Sequence, residues 1–359
     1  MSSVWGHNIK LSLFGESHGK AIGIVIDGLP AGIKLDLEYI SNEMKRRAPG
    51  KNKLATARKE KDEFEIISGY FNEYTTGTPL CTLIYNTNQR SRDYEATKHL
   101  MRPGHADYTG HIRYSGFEDF RGGGHFSGRL TAPLVFAGAI AKQILKQKNI
   151  FIGSHIKSIG NVCDNHFDPV NLEINTLEKL MKKEIPVIDE AKGKQMQEVI
   201  IRAKEEGDSV GGIIETVILN VEQGIGSPFF CSIESEISRM LFSIPGVKGV
   251  EFGDGFDISR MKGSEANDEY FIENEKVKTY TNHNGGILGG ITNGMPILFK
   301  TAIKPTPSIS KLQRTVNIKE NKNTQLEIDG RHDPCIVPRA VPVVESAAAI
   351  VILDFLMGR

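Results

Sequence analysis

The segment from Leu130 to Lys148 constrains this fold most. It has helical length, yet it is apolar almost all the way round, through Leu134, Val135, Phe136, Ala137, Ala139, Ile140, Ala141, Ile144 and Leu145. A surface helix carries one apolar stripe, whereas a helix apolar on every side has to be covered on every side. The segment therefore predicts a helix buried between layers. A second apolar, Ala-rich stretch, Val341 to Met357, closes the chain as a helix. No apolar run reaches the roughly 18 residues that read as a membrane span.

Strands and helices alternate irregularly around these two segments. Leu11 to Phe14, Ile22 to Ile26, Phe64 to Ile67, Leu80 to Tyr85 and Ile213 to Val221 read as strands. Leu37 to Arg47 reads as a helix capped by Asp36 and ended by Pro49-Gly50; Gln195 to Glu206 and Ile233 to Phe242 read as two more. There is no β-α-β rhythm, which argues for α+β over a doubly wound parallel sheet. Asp164 to Lys194 is polar and weakly patterned, an excursion or linker, and Asn317 to Asn323 is a charged surface loop.

Composition narrows the class. With formal charge zero, nothing global points to nucleic acid or an anionic membrane. Cys81, Cys163, Cys231 and Cys335 are far apart and form no Cys-x-x-Cys pair, which suits a reduced cytoplasmic protein with no disulfide or metal framework. The N-terminus lacks the plan of a signal peptide. Between Lys45 and Lys61 lie eight Lys or Arg and one acid, Glu60. That run is either a solvated basic loop or an anion site.

Candidate chemistry sits in loops. Gly15-Glu16-Ser17-His18-Gly19 and Arg102-Pro103-Gly104-His105-Ala106-Asp107 each set a histidine in a glycine-bearing turn beside an acid or hydroxyl. Histidine gains and loses a proton near neutral pH, and glycine lets backbone amides approach a ligand. Alone, each loop is equally a turn with a structural histidine. Gly330-Arg331-His332-Asp333-Pro334 adds an acid beside a basic pair. Gly122-Gly123-Gly124-His125-Phe126-Ser127-Gly128-Arg129 leads into the Leu130 helix, where free amides and the helix dipole suit a phosphate. Its spacing is a weak variant of a dinucleotide fingerprint, without the preceding apolar strand. Gly285-Gly286-Ile287-Leu288-Gly289-Gly290 and Lys304-Pro305-Thr306-Pro307-Ser308 are ligand loops or structural turns.

In combination these motifs resemble one family. Gly15-Glu16-Ser17-His18-Gly19 followed by Ile24-Val25-Ile26-Asp27-Gly28-Leu29-Pro30, Gly124-His125-Phe126-Ser127-Gly128-Arg129-Leu130-Thr131, and Arg331-His332-Asp333-Pro334-Cys335 with Glu345-Ser346-Ala347 resemble the three signatures of chorismate synthases. Thr76-Gly77-Thr78-Pro79 and the Arg102 to Asp107 motif match in order and spacing, and the similarity runs from about Trp5 to Leu356.

The resemblance implies a β-α-β sandwich, a single domain over 1–359 and a homotetramer. It implies conversion of 5-enolpyruvylshikimate 3-phosphate to chorismate and phosphate, the last shikimate-pathway step of aromatic amino-acid biosynthesis. The reaction is a 1,4-elimination that needs reduced FMN with no net redox change. His18 would protonate the departing phosphate, and His105 would keep the reduced flavin suitably protonated. Asp333 would help the flavin take the C6 proton, and Ser17 and Ser127 would relay protons. Arg47, Lys53, Arg102, Arg129 and Arg331 would hold substrate anions, Lys53 standing where relatives usually have Arg. His125, Phe126, Ser127, Pro245, Gly246, Gly289, Lys304, Pro305, Thr306, Pro307, Ser308 and Arg331 would contact the flavin.

Two departures from the family pattern, His125-Phe126 for Arg-Ser or Arg-Ala and Pro245-Gly246 for Asn-Ala, predict weaker flavin binding. The chain has no obvious insertion, so an external flavin reductase, drawing on NADPH, is the expected reductant. A different reading, resting on the Gly122 loop, is a flavin- or NADP-dependent oxidoreductase. A third is a non-catalytic phosphate-binding protein.

Overall fold

A computed structural model describes residues 3–50, 60–87, 95, 97–328 and 333–358. Two five-stranded sheets, antiparallel throughout, sandwich a helical layer. The first sheet orders its strands Val4–Trp5, Lys10–Gly15, Ala21–Asp27, Leu80–Tyr85 and Phe64–Ser68. The second orders Val247–Phe252, Ile297–Ile303, Gly212–Leu219, Phe151–Ile159 and Val162–Cys163. In the first, Leu11 pairs with Ile26 and Ile22 with Ile84, so alternate apolar residues present one face to the helices. The architecture is the α+β sandwich expected.

The helical layer holds α1 (Leu37–Arg47), α3 (Thr131–Gln147) and the C-terminal helix Val337–Met357; the short α2 (Asp107–Arg113) lies outside it, beside the site loops. Asp36 caps α1, accepting from Tyr39 N at 2.9 Å. α3 touches both sheets, the C-terminal helix packs on the second, and the two helices pack on each other. They meet so closely that a Cβ on Gly138 would lie 2.1 Å from Ser346 Cβ. By length and composition the C-terminal helix could cross a membrane, but 83% of its apolar window is buried in the fold, as expected of a core helix. It starts four residues earlier than its apolar pattern suggested. Proline fits the first turn of a helix, where its missing N–H leaves nothing unpaired, and Pro338 sits there.

The helical layer also buries charge. Lys142 Nζ donates to Glu43 Oε2 at 2.6 Å and to Glu345 Oε2 at 2.5 Å, and Arg46 joins both acids. Arg46 and Lys142 tie α1 and α3 to the C-terminal helix through the carboxylate of Glu345, which has no exposed surface. Burial opposes the charge of Glu345, but Arg46 and Lys142 outweigh it and hold the carboxyl well below the usual range.

Residues 164–194 are not a linker. Phe167, Leu177 and Leu180 form a small core with Val217, Leu219 and Leu298 on the second sheet, and helix Ile174–Met181 runs through the segment. A buried imidazole pins it there. His155 Nδ1 lies 3.0 Å from Asp164 and Nε2 lies 2.8 Å from Glu215, its partner across the strands. Asp164 also accepts from Ile188 N and Asp189 N, and Glu215 from Phe167 N and His166.

Burial lowers the pKa of His155, but the two carboxylates outweigh it and the net shift is upward. A histidine whose folded pKa is raised contributes stability below its unfolded value, ~6.5, and loses it as pH climbs through the folded value. Wild-type urea midpoints should therefore fall more as pH rises above ~6.5 than those of His155→Gln. Parallel profiles would remove His155 from this role.

Candidate active site

The two histidine loops meet across the glycine run. Gly122, Gly123 and Gly124 all have positive φ (62°, 101° and 52°), a path that side-chained residues rarely take. Contacts explain the absence of side chains as well. A Cβ on Gly122 would sit 2.4 Å from His18 Cδ2, and one on Gly123 would sit 3.1 Å from the His105 ring. The strip of bare backbone lies between the imidazoles.

His18 is 4% exposed, at the turn between Lys10–Gly15 and Ala21–Asp27. Ser17 N donates to Gly124 O at 3.1 Å and Ser17 Oγ to Arg121 O at 3.3 Å. Ser127 Oγ accepts from Arg129 N at 3.2 Å, and its Cβ lies 3.8 Å from the Cβ position of Gly123. Four of the five expected catalytic residues, Ser17, His18, His105 and Ser127, thus line one strip of backbone. Gly122→Ala should cut turnover at least about tenfold with the fold retained, because a methyl there forces the His18 ring to move and about 1 Å of misplacement can cost far more. Unchanged turnover with a normal melting curve would contradict this.

His105 Nδ1 lies 2.6 Å from Asp107 Oδ1. Asp107 also takes Arg102 through Nε at 2.6 Å and Nη2 at 2.7 Å. Burial raises the pKa of Asp107, but the adjacent His105 ring and the Arg102 guanidinium overcome it and hold the carboxyl well below the usual range. Arg102, expected on a substrate anion, also fixes Asp107 through Nε and Nη2.

The loop 304–308 joins the same rim. Lys304 Nζ donates to Gly104 O, Lys304 N to Gly246 O at 2.9 Å, and Ser209 Oγ to Thr306 O at 2.7 Å. Thr306 Oγ1 is buried with no hydrogen-bond partner among the described residues. A buried unpartnered hydroxyl is costly, and a polar ligand would relieve it. Both nitrogens of His125 are engaged, Nδ1 with Gly15 O at 2.8 Å and Nε2 with Ser3 Oγ at 2.9 Å, so in this structure its nitrogens brace the first histidine loop. Phe126 packs on Gly110 of α2 and on Tyr114. Gly289 stands at the tip of the hairpin Ile287–Leu288/Ile291–Thr292.

A second cluster holds the arginines. Arg47 (2% exposed) and Arg129 (8%) both pair with Asp62 (4%). Arg47 donates from Nε to Asp62 Oδ2 at 3.0 Å, and Arg129 Nη1 also lies 3.0 Å from Glu60. Burial opposes charge on Asp62 and Arg47; the two guanidinium groups nevertheless hold Asp62 below its ordinary value, while Arg339 and Arg129 add to burial in lowering Arg47. Arg339 pairs through Nη1 with Asp333 and donates from Nε to Arg47 O at 3.0 Å, which brings the expected acid Asp333 beside this cluster. Lys53 and Arg331 lie outside the described residues.

Sequence reasoning gave no role to Asp62, Asn86, Asp119 or Arg339. Asp119 takes Arg121 bidentately at 2.7 and 2.8 Å beside the glycine run. The run precedes α3, but among the described residues no parallel strand leads into it, so its context is not that of a dinucleotide-binding unit.

The family model for chorismate synthase matches residues 9–357. A chorismate synthase of Pyrococcus abyssi is 49% identical over 357 residues, covering 99% of this chain and 97% of that protein. One from Dehalococcoides mccartyi is 46% identical over 354 residues, covering 99% and 96%. The crystal structure of a chorismate synthase superposes with a TM-score of 0.78 at 31% identity, covering 99% of this chain and 93% of the other.

Proposed function

The chain belongs to the chorismate synthase family, and from that premise we propose that it acts as a lyase, making chorismate and phosphate from 5-enolpyruvylshikimate 3-phosphate by 1,4-elimination. The observation that carries the assignment of roles is the convergence of His18 and His105 on the Gly122–Gly124 strip.

The residues present fit reduced FMN. The rim offers bare backbone at three glycines, the Lys304 ammonium and the unpartnered Thr306 hydroxyl. Residues 125–127, Pro245-Gly246, Gly289, Lys304 to Ser308 and Arg331 would hold the flavin. When bound, reduced FMN supplies electron density to the allylic system and recovers it, leaving no net redox change.

The remaining steps belong to side chains. Arg47, Lys53, Arg102, Arg129 and Arg331 hold the phosphate and carboxylates; guanidinium forks suit both anions, and Lys53 contributes a point charge. His18 Nε2 or Nδ1 gives a proton to the departing phosphate oxygen, and burial at the glycine strip keeps water from competing. His105, with Asp107 beside its Nδ1, would keep a bound reduced flavin suitably protonated. Asp333, oriented by Arg339, helps move the C6 proton, and Ser17 and Ser127 relay.

We place the protein in the cytoplasm as a homotetramer of single-domain chains. Its reduced flavin comes from an external NADPH-dependent reductase. Supplied with NADPH and oxidised FMN alone under anaerobic conditions, it should stay idle, and adding a flavin reductase should start turnover. Steady turnover without the reductase would show that this chain reduces its own flavin.

A further inference from the structure

Asn86 follows the strand Leu80–Tyr85 at the edge of the His18 turn. Its backbone N donates to Lys20 O at 3.2 Å, which extends the strand pairing up to the loop. Its side chain then does something a strand end does not require. Nδ2 donates to Glu16 O at 3.0 Å and to Gly19 O at 2.9 Å. These carbonyls stand on either side of Ser17 and His18, so one amide group cinches the base of the turn that presents the imidazole. The opposite atom, Oδ1, accepts from Arg129 Nε at 3.1 Å. Arg129 is held in turn by Asp62 and Glu60. A single planar amide therefore joins an anion-binding guanidinium to the histidine turn.

We propose that Asn86 is a positioning residue for His18, coupling it to the anion grip at Arg129. The proposal rests on the reading of His18 as the proton donor to the leaving phosphate. The chemistry is specific to an amide. The turn offers two acceptors and needs a donor, whereas Arg129 is a donor and needs an acceptor. An aspartate in this place satisfies Arg129 but faces both carbonyls with a third acceptor. A leucine of similar size satisfies neither.

This asymmetry defines the test. Asn86→Asp and Asn86→Leu are assayed with chemically reduced FMN, alone and combined with His18→Ala, and melting curves are recorded for each. Both single variants should lose at least about tenfold in kcat, since small displacements of a positioned group cost that much or more. The KM of Asn86→Asp should stay within about threefold of wild type, and that of Asn86→Leu should rise. Combined with His18→Ala, Asn86→Asp should cost nothing further, because a residue that acts through His18 has nothing left to position; a general structural defect would multiply the loss. Wild-type kcat in Asn86→Asp, or multiplied losses in the double variant, overturns the proposal. Should Asn86→Asp melt far below wild type, the comparison of His18→Ala with the double variant at a lower temperature still decides it. If His18→Ala itself turns over normally, the reading of His18 is what fails; if His18→Ala is impaired and the losses multiply, only the inference about Asn86 fails.

Discussion

His18→Ala lowers kcat by about 10²- to 10⁴-fold, the usual contribution of a positioned general acid, while flavin and substrate still bind. Several features make the loss large. The ring is 4% exposed, so bulk water is a poor substitute donor. The Gly122–Gly124 strip passes so close that a Cβ at Gly122 would reach 2.4 Å from the ring, which leaves the imidazole little freedom. Departing phosphate is a better leaving group once protonated, so removing the donor slows that step and not the docking of the anion at the arginine cluster. KM should therefore change much less than kcat. Single-turnover phosphate release under anaerobic conditions, with melting curves as the control on folding, is the measurement. A kcat within about threefold of wild type would remove His18 from the chemistry.

Asp62→Ala destabilises the chain by about 3–5 kcal/mol, the cost of stripping a partner from buried ion pairs. Asp62 faces two guanidinium groups at once, and Arg47 and Arg129 are 2% and 8% exposed. Glu60 stays 3.0 Å from Arg129, whereas among the described residues Arg47 keeps only a neutral partner, Thr131 Oγ1 at 3.4 Å. The larger share of the loss therefore falls on Arg47, whose pKa burial already lowers. Urea unfolding of wild type and variant should separate clearly in midpoint. A shift under about 1 kcal/mol would mean that water or Glu60 replaces the lost carboxylate. Asp62→Asn should fall in between, since a neutral amide oxygen still accepts one hydrogen bond.

The fold was legible where hydrophobicity has a period. Leu134 to Leu145 is apolar on all sides, and its helix lies between sheets. Leu11 to Phe14 and Ile22 to Ile26 are short apolar runs, and they pair in register. Boundaries slipped where local signals misled. The helix expected from Gln195 starts at Glu190, with Asp189 accepting from Ala191 N, because its first turn is polar and shows no apolar period. The excursion after Asp164 reads as loose because its anchors, Phe167, Leu177 and Leu180, are spaced too widely to form a pattern.

The site divides in the same way. His18, His105 and the three glycines stand out because glycine next to histidine is informative locally. Asp62, Asn86 and Arg339 do not, because their meaning lies in partners far along the chain. Asp62 is 15 residues from Arg47 and 67 from Arg129, and Arg339 is 292 from the carbonyl it binds. A lone polar residue at a strand end carries no pattern by which its partner could be named.

The proposed reaction is an elimination without net redox change. Its most direct test is anaerobic turnover of 5-enolpyruvylshikimate 3-phosphate with chemically reduced FMN, following chorismate, phosphate and flavin absorbance together. Equal release of chorismate and phosphate over many turnovers, with the flavin still reduced at the end, is the predicted result. Flavin oxidised in step with product, or tight binding of both ligands with no product at all, would contradict it.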